Sequence, residues 1–109
     1  MPAVIKNKQE KIKSILMTNI YYKGRALFFK KPIQVKITQK EGLYIFENKY
    51  LNIYVFDKSI EKCLLSMAED VFLDYDELVK EENIKKLSEG AKKIRKKLIM
   101  LIDREFYLW

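Results

Sequence analysis

Between Gly42 and Tyr75 the chain reads GLYIFENKYLNIYVFDKSIEKCLLSMAEDVFLDY, and two periodicities meet inside it. From Leu43 to Phe56 the residues are apolar, aromatic or β-branched, and alternate. From Ile60 onward apolar residues recur three and four apart. A switch from period two to period 3.6 within a few residues constrains the fold strongly. A strand pair must run directly into an amphipathic helix, whose apolar stripe lies back on the strands. Gly42 supplies the positive φ of a tight turn, and Asn48-Lys49 is a second turn candidate. The second strand, Tyr50 to Phe56, puts Leu51, Ile53 and Val55 on one face. Tyr50, Asn52, Tyr54 and Phe56 fall on the other. Ser59 is placed to cap the helix, with Glu61 in its first turn. The stripe is Ile60, Cys63, Leu64, Met67, Ala68, Val71, Phe72, Tyr75, Leu78 and Val79, about five turns. Leu65 and Leu73 fall off it, either as stray exposed leucines or as a second contact surface.

The rest of the chain extends this unit. Ile12 to Tyr22 favours a strand, because Thr18, Asn19 and the tyrosine pair are poor helix formers. Lys23-Gly24 marks a turn, and Arg25 to Lys31 reads as a short strand. Pro32 ends it or begins another, in which Ile33, Val35 and Ile37 alternate with polar residues. Lys80 to Lys86 reads as a charged connector or the frayed end of the helix. Ser88 caps a last helix with the stripe Ala91, Ile94, Leu98, Leu101 and Ile102. The sequence thus predicts one α+β domain over residues 1–109, with a flexible basic tail at 1–11. Its sheet is an antiparallel meander of four or five strands, packed on one face by the two C-terminal helices. The expected core is Ile33, Val35, Ile37, Leu51, Ile53, Val55, Ile60, Leu64, Met67, Val71, Ala91, Ile94, Leu98 and Leu101. The terminal run Phe106-Tyr107-Leu108-Trp109 is too apolar for a frayed end and is expected to dock on its own domain or on a partner.

Composition narrows the function classes. Of 109 residues, 49% are hydrophobic and 34% charged, which describes a soluble globular domain of a size to bury one modest core. No apolar run reaches the roughly 20 residues of a membrane helix. No signal-peptide core follows the lysines of the N-terminus, so a cytoplasmic location and no membrane partner are expected. Abundant Lys, Glu and Ile without His fits an organism living hot. Cys63 lies on the helix stripe and has no His to activate it, which favours a structural thiol. Metal sites and nucleophilic triads lack their residues. Glu69, Asp70, Asp74, Asp76 and Glu77 gather on and after the long helix, but the strands add only Glu47 and Asp57, a poor start for two-metal chemistry. Three glycines cannot supply a phosphate loop. No catalytic activity and no cofactor are expected.

Two surface features remain. Tyr50, Tyr54 and Phe56 share a sheet face, joined from the neighbouring strand by Tyr44 and Phe46, or by Leu43 and Ile45. That face is either a dimer interface or a platform on which the bases of single-stranded nucleic acid stack. The second feature is Lys92, Lys93, Arg95, Lys96 and Lys97, in a chain of net charge +7. These cations either follow a phosphate backbone or form an ordinary solvated face.

Three stretches together resemble the HicB-like antitoxin superfamily, in particular its small stand-alone archaeal members: PIQVKI (Pro32 to Ile37), GLYIFEN (Gly42 to Asn48) and LNIYVFDKSIEKCL (Leu51 to Leu64). Leu87-Ser88-Glu89-Gly90-Ala91 with Ile94 and Leu98 is similar to the start of the family's last helix. The family's small positions in the second strand are Asn52 and Val55 here, its helix-start Ala is Cys63, and residues 1–30 have no counterpart. The resemblance covers about two-thirds of the chain. It implies a partial RNase H-like layer without nuclease carboxylates. It implies a non-enzymatic binding protein that neutralises a small toxin ribonuclease, and the aromatic face adds the expectation that it is a homodimer. It also implies contact with operator DNA, although many members carry a separate helix-turn-helix or ribbon-helix-helix domain for it and none is evident here.

Overall fold

Two X-Gly turns set the sheet. Lys23 and Gly24 have φ of 47° and 78°, and Glu41 and Gly42 have 52° and 80°. Paired positive values match a two-residue turn to the twist of its flanking strands. The computed structural model, which describes residues 10–108, accordingly opens with a three-strand meander: β1 (Lys11–Tyr22), β2 (Arg25–Lys40) and β3 (Leu43–Asn48). Most of the basic tail expected at 1–11, and Trp109, lie outside the described residues. Lys11 already belongs to β1.

β4 (Ile53–Asp57) pairs antiparallel with β3. The turn between them is longer than the sequence suggests, because Asn52, at φ 58°, is the left-handed residue. Asn48 works through its side chain instead. Its carbonyl oxygen accepts from the Leu51 N–H at 2.8 Å, and its amide donates to the Gln34 carbonyl at 2.8 Å. This buried side chain holds the turn and closes the end of the β2–β3 ladder. Tyr50 therefore sits in the turn and not in the strand.

Pro32 does not divide β2, which runs unbroken for 16 residues. The proline is tolerated because no ladder bond is asked of it. Met17 faces Ile33 while Asn19 faces Phe28, so the β1 register skips opposite it. The skip also turns β1 over. Ile15 and Met17 pack on the core before it, Ile20 and Tyr22 after it.

The C-terminal run docks on its own sheet. β5 (Ile102–Tyr107) pairs antiparallel with Arg25 to Phe29 of β2, and Ile102, expected on a helix stripe, is its first residue. The result is a five-stranded antiparallel sheet of order β1-β2-β3-β4, in which β3 and β5 share one edge of β2. Two helices pack against it. α1 (Ile60–Asp74) continues into one π-helical turn, Tyr75–Val79, and α2 (Glu89–Leu101) leads into β5. Both caps are made as expected. Ser59 Oγ accepts from the Lys62 N–H at 3.3 Å and Ser88 Oγ from the Ala91 N–H at 3.1 Å.

The expected core residues of β2 and β4, with Leu51, Met67, Val71, Leu98 and Leu101, are buried. Leu64, Ala91 and Ile94 are half-buried and Ile60 lies at the surface. The centre is aromatic: Phe46 and Phe72 are fully enclosed. Arg25 of β2 clamps the layers together. Its guanidinium makes two hydrogen bonds of 2.7 Å to Asp76 and one of 2.7 Å to Glu105, and lies 4.8 Å from the Phe72 ring centre. Lys80 bridges the same two carboxylates at 3.3 and 3.4 Å. The π turn is thereby fastened to β5.

Candidate functional site

Strand register divides the sheet into two faces. Lys13, Ile37, Phe46 and Val55 form one cross-strand row, and Ile12, Thr38, Ile45 and Phe56 the next. Ile37, Phe46 and Val55 are buried under the helices, so the second row faces away from them. Beside it run Ser14, Lys36, Glu47 and Tyr54. The described molecule measures 61 × 35 × 21 Å. A thickness of 21 Å fits one sheet and one helix layer, about 10 Å apart. Nothing else in the described chain is thick enough to cover the outer face.

Tyr54 and Phe56 are 59% and 61% exposed, edge to face at 6.2 Å between ring centres. Ile12 and Leu16 are exposed on the same face, and Phe28 and Phe106 stack edge to face at its far end, 5.4 Å apart. Tyr44 and Phe46 do not join them. Alternation in β3 turns both inward, where Phe46 is fully buried and Tyr44 packs on the core, its backbone carbonyl accepting from the Cys63 thiol at 3.4 Å. Leu43 and Ile45, the alternative pair, take the outward positions. Tyr50 also leaves this face, carried off by the turn toward α2. Lys36 and Glu47 place charge directly beside the rings, so the face is not purely apolar.

The cations of α2 separate. Lys92 is paired with Glu89 at 3.2 Å, and Arg95 is half-buried, its Nε enclosed without an acceptor among the described residues. Lys93 and Lys96 are exposed. Lys97 reaches back over the Tyr50 ring, 5.2 Å from its centre. Beneath it the sheet is split. β3 pairs with β2 from Lys36 to Lys40, β5 from Arg25 to Phe29, and the edge between them has no strand partner. A groove of about 610 Å³ opens there, lined by Lys30, Lys31 and Lys49, with Tyr50 and Met100 at its mouth and buried Ile33 and Leu101 beneath. The sequence reading missed this groove. Its one local signal, Lys30-Lys31-Pro32, reads simply as a strand end.

The acidic residues give no comparable focus. Burial, then neighbouring Glu69, pushes the Asp70 carboxyl up. Burial, then Asp70 and Glu77, does the same to Asp74. Asp76 is held below the usual carboxylate range by its hydrogen bonds to Arg25. Among the described residues no three His, Cys, Asp or Glu side chains converge as metal ligands would, and no helix is long and apolar enough to cross a membrane. Comparison with protein-family models, with curated proteins and with solved structures finds no match to this chain.

Proposed function

We propose that this chain is a non-enzymatic interaction protein. It pairs with a second copy through its outer sheet face and neutralises a small ribonuclease toxin in the manner of a HicB-like antitoxin. The observation that carries the pairing is the exposure of Ile12, Tyr54 and Phe56 on the outer face, with half-buried Ile45 among them. A sheet face bearing two half-exposed aromatic rings is stable in water only at a cost that a partner removes. Faces of 61 by 35 Å leave room for the roughly 800 Å² per partner that a stable interface buries. Lys36 beside Glu47 suits a two-fold arrangement, in which each copy's cation meets the other's carboxylate. The toxin-binding part of the reading rests on the resemblance of Pro32–Ile37, Gly42–Asn48 and Leu51–Leu64, and on a helix lying across an antiparallel sheet.

Light scattering tests the pairing. The expected mass is twice the 13.1 kDa of the chain, and Phe56→Lys, which sets a cation in the proposed interface, reduces it to one copy. A wild-type monomer at 100 µM removes the pairing. The toxin reading predicts a small reading frame beside this gene, and is tested by co-expressing the chain with its product. Stoichiometric co-purification with loss of that product's ribonuclease activity is expected. An unimpeded ribonuclease, or an adjoining product without such activity, rejects it.

A further inference from the structure

The groove between β3 and β5 invites a ligand of its own, at the open edge of β2 and apart from the row of Ile12, Ile45 and Phe56. Lys30 and Lys31 come from β2 and Lys49 from the turn before β4, so three cations from two separate segments line one depression, and Lys97 of α2 stands over Tyr50 beside it. No carboxylate lines it. Arg25 and Lys80 share Asp76 and Glu105, and Lys92 has Glu89. Among the described residues no carboxylate lies within salt-bridge distance of Lys30, Lys31, Lys49 or Lys97. Like charges held together repel, and an anion brought among them relieves that repulsion.

We propose that this groove binds single-stranded nucleic acid, with phosphates against Lys30, Lys31 and Lys49 and a base against the Tyr50 ring. The ring distinguishes this ligand from an acidic peptide. Tyr50 is 44% exposed at the mouth of the groove, with the Lys97 ammonium over its ring, and a π-face is of use to a base. An acidic peptide needs only the lysines. In a duplex the bases are already stacked on each other, so a single aromatic ring can engage only an unpaired one. The split edge adds backbone groups. Lys30 and Lys31 lie outside both flanking ladders, and Gln34 is satisfied by Asn48. The volume, about 610 Å³, is that of an ordinary ligand cleft.

Fluorescence anisotropy with labelled twelve-nucleotide oligo-dT and oligo-U, from 50 to 200 mM NaCl, tests it. Binding to at least one strand is expected at 50 mM, weakening with salt. The triple variant Lys30→Gln/Lys31→Gln/Lys49→Gln raises Kd tenfold or more and flattens the log–log salt slope by about 2, the release expected for three phosphate contacts on a single strand. Tyr50→Ala raises Kd about fivefold or more at an unchanged slope. Tyr21→Ala, an exposed ring of β1 outside the groove, leaves Kd as it was. All three variants keep wild-type far-ultraviolet circular dichroism, since the replaced side chains are exposed. The assignment is overturned by absence of binding at 50 mM. It is overturned equally if Lys11→Gln/Lys13→Gln/Lys62→Gln, the same charge removed elsewhere, weakens binding as much as the groove triple. Displacement by a twelve-glutamate peptide at matched charge, with Tyr50→Ala inert, assigns the groove to an acidic protein and rejects the nucleic acid.

Discussion

Each face of this sheet carries a phenylalanine, and the two rings meet opposite fates. On the inner face Phe46 has no exposed surface and packs among Ile37 and Val55 under α1. On the outer face Phe56, one strand away, leaves more than half of its ring in water. Neither β-propensity nor hydrophobicity separates these residues. What separates them is the helix layer, which reaches one face only. A face covered from within the chain stabilises the monomer, whereas a face left open contributes only when another molecule covers it.

The largest expected effect tests that difference directly. Phe46→Ala should cost about 3–5 kcal/mol, the range for a large cavity in a closed core. Phe56→Ala, measured at a concentration low enough to keep the chain monomeric, should cost within about 0.5 kcal/mol. Urea unfolding followed by circular dichroism reads both. Equal costs would mean that the outer face is closed by its own chain.

A smaller effect sharpens the comparison with charged residues. Arg25 and Arg104 each lie near aromatic rings and a carboxylate, one on each face. Arg25 is mostly enclosed between Phe72, Asp76 and Glu105. Arg104 is exposed near Phe28 and Phe106, 3.7 Å from Asp103. Arg25→Met leaves Glu105 enclosed with Lys80 alone and should cost roughly 1–3 kcal/mol, discounted because Asp76 is itself partly exposed. Arg104→Met should cost within about 0.5 kcal/mol. The Arg25 contribution is also pH-dependent. The Asp76 carboxyl is depressed in the folded state, so its stabilisation is complete above the carboxylate's unfolded pKa, near 4. It fades as pH falls through the lower folded value. The difference between wild type and Arg25→Met should therefore narrow in acid. A gap that is constant from pH 7 to pH 2 would assign the effect to lost packing on Phe72.

Much of this architecture is legible in the chain because local chemistry is unambiguous where it matters. Gly24 and Gly42 fix two hairpins, Ser59 and Ser88 fix two helix starts, and the three-four spacing of Cys63, Leu64, Met67, Ala68 and Val71 gives the buried side of α1. Legibility fails where two answers satisfy the same local rule. In Leu43-Tyr44-Ile45-Phe46 every residue is apolar or aromatic, so alternation names two sets without saying which is inside. Only the cross-strand partners Ile37 and Val55 decide. Pro32 looks like a strand break because nothing nearby in sequence reveals that β1 skips register opposite it. The last strand is hidden because Ile102 continues the helical spacing of Leu98 and Leu101. The basic groove is the least legible, since Lys30, Lys31 and Lys49 meet only after β3 and β5 divide the edge of β2 between them.

The smallest expected effect locates the pairing surface. α1 exposes Leu65, off its buried stripe, beside Met17 and Tyr21 of β1. β1 is also an edge strand, and an open strand edge is the other route by which two copies of such a sheet could join. If the outer face pairs the copies, Leu65→Gln changes the unfolding free energy by less than about 0.5 kcal/mol and leaves the light-scattering mass at two chains, while Phe56→Lys yields one. The reverse pattern, a monomer from Leu65→Gln and a dimer from Phe56→Lys, would move the junction to the β1 edge. The open rings of Tyr54 and Phe56 would then be free in the dimer.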